Sequence, residues 1–135
     1  MSLTFVQGRD DIFKMVDDAL SVSISWPDKP FDIPDRTAWA RVVLQHSNAG
    51  TQSLKGGTGL AIFERQGVLI VQVFTPSGQG LSEAYAMCKL LADAFEGKSS
   101  PNGVWFRRAR INEADKMGDY SQVNFIVEFS YDEVK

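Results

Sequence analysis

Between Val68 and Thr75 the chain sets Leu69, Val71 and Val73 on one side of an extended segment and Val68, Ile70 and Phe74 on the other, beside Gln72. Successive side chains of a strand point to opposite faces, so this strand is apolar on both. A strand of that kind is covered on both faces. The fold therefore needs helices on two sides of a sheet, or one helix layer and a second subunit.

A second extended segment, Tyr120 to Tyr131, alternates Val123, Phe125, Val127, Phe129 and Tyr131 with Gln122, Asn124, Ile126, Glu128 and Ser130. That period of two predicts one packed face and one wetter face. Arg36 to Gln45 alternates in the same way, with Ala38, Ala40, Val42 and Leu44 on one side. Shorter strands are read at Ser21–Trp26, Leu60–Arg65 and Val104–Ile111, and Gln66-Gly67 reads as a tight hairpin between Leu60–Arg65 and Val68–Thr75. Asn112 to Asp119 reads as a polar connection, and His46 to Gly59, with four glycines, as a long loop.

Two helices complete the pattern. Ile12, Phe13, Val16, Ala19 and Leu20 recur at helical spacing over Asp10–Leu20, with Asp10 and Asp11 in the first turn. Leu81, Ala84, Cys88, Leu91 and Phe95 form the stripe of a longer helix over Glu83–Glu96, with Ser82 as N-cap and Gly97 as the residue that ends it. Between the first strands, Trp26 to Asp35 holds three of the five prolines and reads as an ordered crossing segment pinned by Trp26, Phe31 and Ile33. The order α-β-β-β-β-α-β-β predicts an α+β fold, a mainly antiparallel twisted sheet of five to six strands flanked by two helices. At 135 residues, residues 1–135 form a single domain large enough to bury a core without a metal or disulfide.

The inventory for chemistry is small. A single Cys, Cys88, rules out an internal disulfide and multi-cysteine metal sites, and it lies on the apolar stripe of the second helix. The single His, His46, has no local nucleophile signature around it. Lys55-Gly56-Gly57-Thr58-Gly59 is followed by a strand, whereas a phosphate loop is followed by a helix N-terminus. Ser77-Gly78-Gln79-Gly80 does join strand to helix but lacks the lysine of such loops and reads as a plain turn. Asp10, Asp11, Asp17 and Asp18 match neither a calcium loop nor a pair of catalytic carboxylates, and read as a solvated helix face. These patterns predict no catalytic residues, no metal and no cofactor. No apolar run approaches the roughly 18 residues of a bilayer span, and no secretory leader is read at Met1–Gly8, so a cytoplasmic protein is expected.

Charge is segregated along the chain. Residues 1–36 carry four basic and seven acidic side chains, residues 98–116 five basic and two acidic, and residues 117–135 one basic and four acidic. The basic run is Phe106-Arg107-Arg108-Ala109-Arg110, where simple alternation sends Phe106, Arg108 and Arg110 one way and Arg107 the other. Separated acidic and basic surfaces suit head-to-tail association of copies. The alternatives are a charge-guarded edge strand and a nucleic-acid module built on residues 106–110. The formal net charge of −3 disfavours nucleic-acid binding. A small hydrolase or transferase centred on His46 is the third reading.

Several stretches together, Trp39-Ala40-Arg41-Val42, Gly59 to Gly67, Val71 to Gly80, Phe95-Glu96-Gly97-Lys98, Gly103-Val104-Trp105-Phe106 and Asn124 to Glu133, resemble a family of small phage and prophage proteins similar to the tail terminator proteins of long-tailed phages. The resemblance spans nearly the whole chain and its motifs are structural. It implies a hexameric ring on the head-proximal end of the tail tube, which stops tube growth and offers a surface for joining the head. The implied partners are copies of the chain, the tail tube protein and head–tail joining proteins, with no membrane and with DNA only as passing cargo. The implied location is the bacterial host's cytoplasm during assembly, then the virion tail. It also implies that the loop from His46 to Gly59 projects toward a neighbour or the tube. Lys55, Thr58, Arg107, Arg108 and Arg110 are the candidate interface residues.

Overall fold

The computed structural model describes residues 4–54 and 61–134. Helix α1 (Phe5–Ala19) leads into a three-residue strand β1 (Ser23–Ser25), followed by β2 (Trp39–Leu54), β3 (Ala61–Pro76), helix α2 (Ser82–Phe95), β4 (Trp105–Met117) and β5 (Tyr120–Val134). The five strands make one sheet in the order β1-β2-β3-β5-β4, antiparallel except for the short parallel pairing of β1 with β2. The class is α+β as expected, with one strand fewer than the expected order.

The missing strand boundary is at Gly67. The sequence suggested a hairpin at Gln66-Gly67, but β3 runs straight through it, pairing Gly67 with His46 on one side and Phe129 on the other. A Cβ there would overlap the Gln45 carbonyl oxygen and lie 2.5–2.9 Å from ring carbons of Phe129. The glycine marks a close approach and not a reversal. Opposite it, β2 slips register between His46 and Asn48, a bulge that bends the strand.

The expected loop His46–Gly59 is corrected in the same way. Residues 46–54 continue β2 and pair with β3 as far as Leu54↔Ala61. Its polar sequence hid a strand held by backbone bonds, and residues 55–60, with Lys55 and Thr58, lie outside the described residues. The polar connection read at Asn112–Asp119 is likewise the second half of β4, and only Gly118 and Asp119 turn the chain into β5. Glu113, Asp115 and Lys116 are exposed there because β4 is an edge strand.

Helix α1 begins five residues before the expected start. Thr4 caps it: its Oγ1 accepts from the Gln7 amide at 3.2 Å while Gln7 Oε1 accepts from the Thr4 amide at 3.1 Å. Asp10 and Asp11 therefore fall beyond the first turn, which holds no acidic residue. In α2, Ser82 is the first helical residue and Leu81 occupies the cap position without a side-chain bond. Gly97, at φ +68°, follows the helix end as expected.

Both helices lie on one face of the sheet. Ile12 and Val16 of α1 and Ala84, Cys88, Leu91 and Phe95 of α2 pack onto Val71, Val73, Phe125 and Val127, all fully buried. Phe95 meets Phe106 edge-on at 4.8 Å, fixing α2 against β4. Of the two expected ways to cover the central strand, helices on two sides is thus not the one seen among the described residues, which supply one helix layer. The opposite face is covered at one end, where Trp39 stacks on Phe74 at 4.1 Å and on Phe31 at 5.3 Å. The Tyr120 hydroxyl donates to the Pro34 carbonyl and ties the proline-rich segment over this cluster. Trp26 reaches Phe13 at 5.0 Å, whereas Ile33 is 49% exposed and belongs to neither core cluster of the described residues.

Candidate assembly surface

On the face away from the helices, register lines up Val43, Ile70 and Ile126 across β2, β3 and β5, with Arg110 of β4 next in the row. The three aliphatic side chains are half-buried, with Val68 beside them. One row on, Arg41 Nη1 donates to Gln72 Oε1 at 3.4 Å, and its guanidinium lies 5.4 Å from the rings of both Trp39 and Phe74. The resulting surface is a band of apolar side chains bordered by polar ones.

The basic run has a geometry that alternation does not give. Between Arg107 and Arg110 the β4–β5 register slips, and Arg108 sits at φ +56°. This bulge puts Phe106 and Ala109 against the core while Arg107 and Arg110 occupy the open face. The expectation that Arg107 opposes Arg108 and Arg110 is corrected: all three gather on Glu128, at 3.9, 3.3 and 3.7 Å. One carboxylate faces three guanidinium groups, so the strand edge keeps a net positive charge. Arg107 Nη1 also donates to Ser130 Oγ at 3.2 Å. Beside them Trp105 is 64% exposed, the most exposed of the large apolar side chains among the described residues.

The same end of the sheet holds a buried ion pair. Arg65 Nε and Nη2 donate to Glu133 Oε1 at 3.1 and 2.8 Å, and the Phe5 ring lies 4.5 Å from the guanidinium carbon. Next to it, His46 Nε2 and the Tyr131 hydroxyl share a hydrogen bond of 2.9 Å, and the imidazole meets Phe5 and Phe129 edge-on at 5.1 and 5.2 Å. Partial burial and the Arg65 charge lower the His46 pKa below 6.5. Burial pushes the Tyr131 phenol up to about 12. The imidazole is thus held by aromatic rings and a phenol, a structural setting. Burial likewise pushes the Cys88 thiol up to about 11, which keeps it protonated and unreactive.

The aspartates of α1 divide. Asp11 accepts from Ser100 Oγ at 2.6 Å and from the Asn102 side-chain and backbone amides at 2.7 and 3.2 Å, so it clasps the turn that feeds β4. Asp10 pairs with Arg9 and Asp18 with Lys14 on the exposed side. Among the described residues no group of three or more His, Cys, Asp or Glu side chains is placed to hold a metal ion. No helix among them is long and apolar enough to cross a membrane.

Sequence reasoning found the arginines but not Glu128 at their centre, nor Trp105 beside them. Glu128 was visible as a charge on the wetter side of the last strand. The bulge that gathers the arginines has no signal in the residues themselves, since Arg108 is not a residue type that favours positive φ.

Comparison with known proteins bears on this surface. One solved structure, which carries no functional name, aligns with a TM-score of 0.63 at 17% identity, covering 91% of this chain and 94% of that one; it shows the fold alone. The small ribosomal subunit protein uS5 of Rickettsia typhi is 30% identical over 93 residues, 69% of this chain and 51% of that protein. The same protein of Rickettsia akari is 31% identical over 94 residues, 69% of this chain and 52% of that protein. The chain spans about half the length of these curated relatives. A family described as phage tail terminator protein matches residues 12–114, from the middle of α1 through most of β4. The chain belongs to the phage tail terminator family, and with it to the structural proteins of phage tails.

Proposed function

We propose that the protein, as a single domain, closes the head-proximal end of a phage tail tube as a ring of identical copies, ends tube growth there and presents the surface to which the head is joined. Its role is structural, not catalytic. The observation that carries this reading is the uneven sheet: one face is sealed by two helices, while the other keeps the row Val43, Ile70 and Ile126 half-buried beside an over-charged arginine edge. An apolar band with an arginine rim has the composition of a contact surface. Arg107, Arg108 and Arg110 are the contact residues, with Lys55 and Thr58, which lie between β2 and β3 in the sequence. The partners are further copies, the tail tube protein and head–tail joining proteins, first in the host cytoplasm and then in the virion tail.

The test is capping. Purified protein added to growing tail tubes should arrest them and appear as a ring at one end in negative-stain images, with native mass spectrometry giving the copy number, for which six is expected. Tubes that lengthen unchanged with no bound protein would reject the reading.

A second reading, a nucleic-acid module on residues 106–110, draws on the three arginines and the partial likeness to a ribosomal protein. Glu128 within the cluster and the net charge of −3 oppose it. It requires binding to DNA or RNA that weakens steeply with salt and is lost on replacing the arginines.

A further inference from the structure

The β4 edge carries a pattern of its own. Trp105 pairs with Ser130 at the start of the strand. Two residues along on the same open face comes Arg107, opposite Glu128; two residues the other way on β5 comes Asp132. At about 3.3 Å per residue, the cation and the carboxylate lie roughly 7 Å on either side of Trp105 along the strand direction. Asp132 opens onto a cleft of about 360 Å³ lined also by Glu64, Asn102, Gly103 and Trp105, with no basic residue among the described residues that line it.

We infer that this edge is self-complementary, and that a second copy of the chain docks on it across a two-fold axis passing beside Trp105. Such an axis carries each Arg107 to the level of the other copy's Asp132 and sets the two indoles against each other. This is the defining relation of an isologous contact, in which residue i meets j and j meets i. The occupant is argued from charge: a partner with the reverse arrangement is needed, and the chain itself supplies it. The contact is made by side chains, because the bulge at Arg108 breaks the edge that a neighbouring strand would have to follow. A ring is built from head-to-tail contacts, so the two-fold pair is a separate, resting form. It rests on the reading of β4 as a contact edge, and it hides the arginines until a tube end displaces the second copy.

The test uses the whole chain. Sedimentation should show a dimer that dissociates as salt is raised, and W105C should form a disulfide between copies through residue 105 itself. Cys88 will not interfere, being buried with its thiol raised to about 11. R107E and D132R should each weaken the dimer roughly tenfold or more, and the double variant R107E/D132R should recover it. That recovery excludes misfolding as the cause. Rings or larger species without a 105–105 link would overturn the two-fold contact and leave the capping reading standing. A protein monomeric at every concentration that still caps tubes would do the same, while one that neither pairs nor caps would end both.

Discussion

The two faces of the sheet share strands but not environments. Under the helices, Leu69, Val71, Val73, Phe125 and Val127 are sealed to zero exposure. On the reverse of the same strands, Ile70 and Ile126 remain only half-buried between Arg41 and Arg110. Residues of similar apolarity thus have different duties. The sealed face supplies the stability of the single chain, since full burial of each large side chain contributes about 1.5–3 kcal/mol. The open face has apolar surface that no other element among the described residues removes from water.

The largest way to break this contrast is on the sealed side. F125A should cost about 3–5 kcal/mol in a urea titration, whether or not the protein is assembled. Next is the ion pair at the end of the helix-covered face. E133A should cost about 3 kcal/mol by leaving Arg65 buried without its carboxylate, whereas replacing Arg65 and Glu133 together with Met and Leu should be close to neutral. A smaller change is expected on the open side: I70A should lower single-chain stability by about 1 kcal/mol or less, yet reduce tube capping far more than that loss explains. A capping activity that tracks stability equally for F125A and I70A would erase the distinction.

The smallest effect is one of pH. His46 holds its proton less tightly folded than unfolded, because burial and Arg65 disfavour its charge. The contribution is therefore complete above 6.5 and lost as pH falls from 6.5 through the lowered folded value. A shallow drop in melting temperature over that range, absent in H46N, is the expected record. Equal profiles for the two proteins would remove His46 from the account.

Periodicity revealed the layers because burial writes itself into alternate residues. The strands around Val71 and Phe125, the stripe of α2 and the stop at Gly97 were all legible for that reason. What escaped were features set by backbone contact. Gly67 has the composition of a turn but serves a ring lying across the strand, and polar residues 46–54 carry a ladder that needs no apolar side chains. The assembly surface was half legible: the arginines stood out as a run, but their convergence on Glu128 depends on a single slipped register.

The clasp between Asp11 and the turn at Ser100 and Asn102 has a consequence for synthesis on the ribosome. The helix is made before its hydrogen-bonding partner, which lies 91 residues later, and the ring against Gly8 belongs to Tyr131. Contacts so distant in sequence form late. Until β5 has been made, Ile12 and Val16 therefore lack Phe125 and Val127 to pack against, and their apolar side chains stay uncovered on that side.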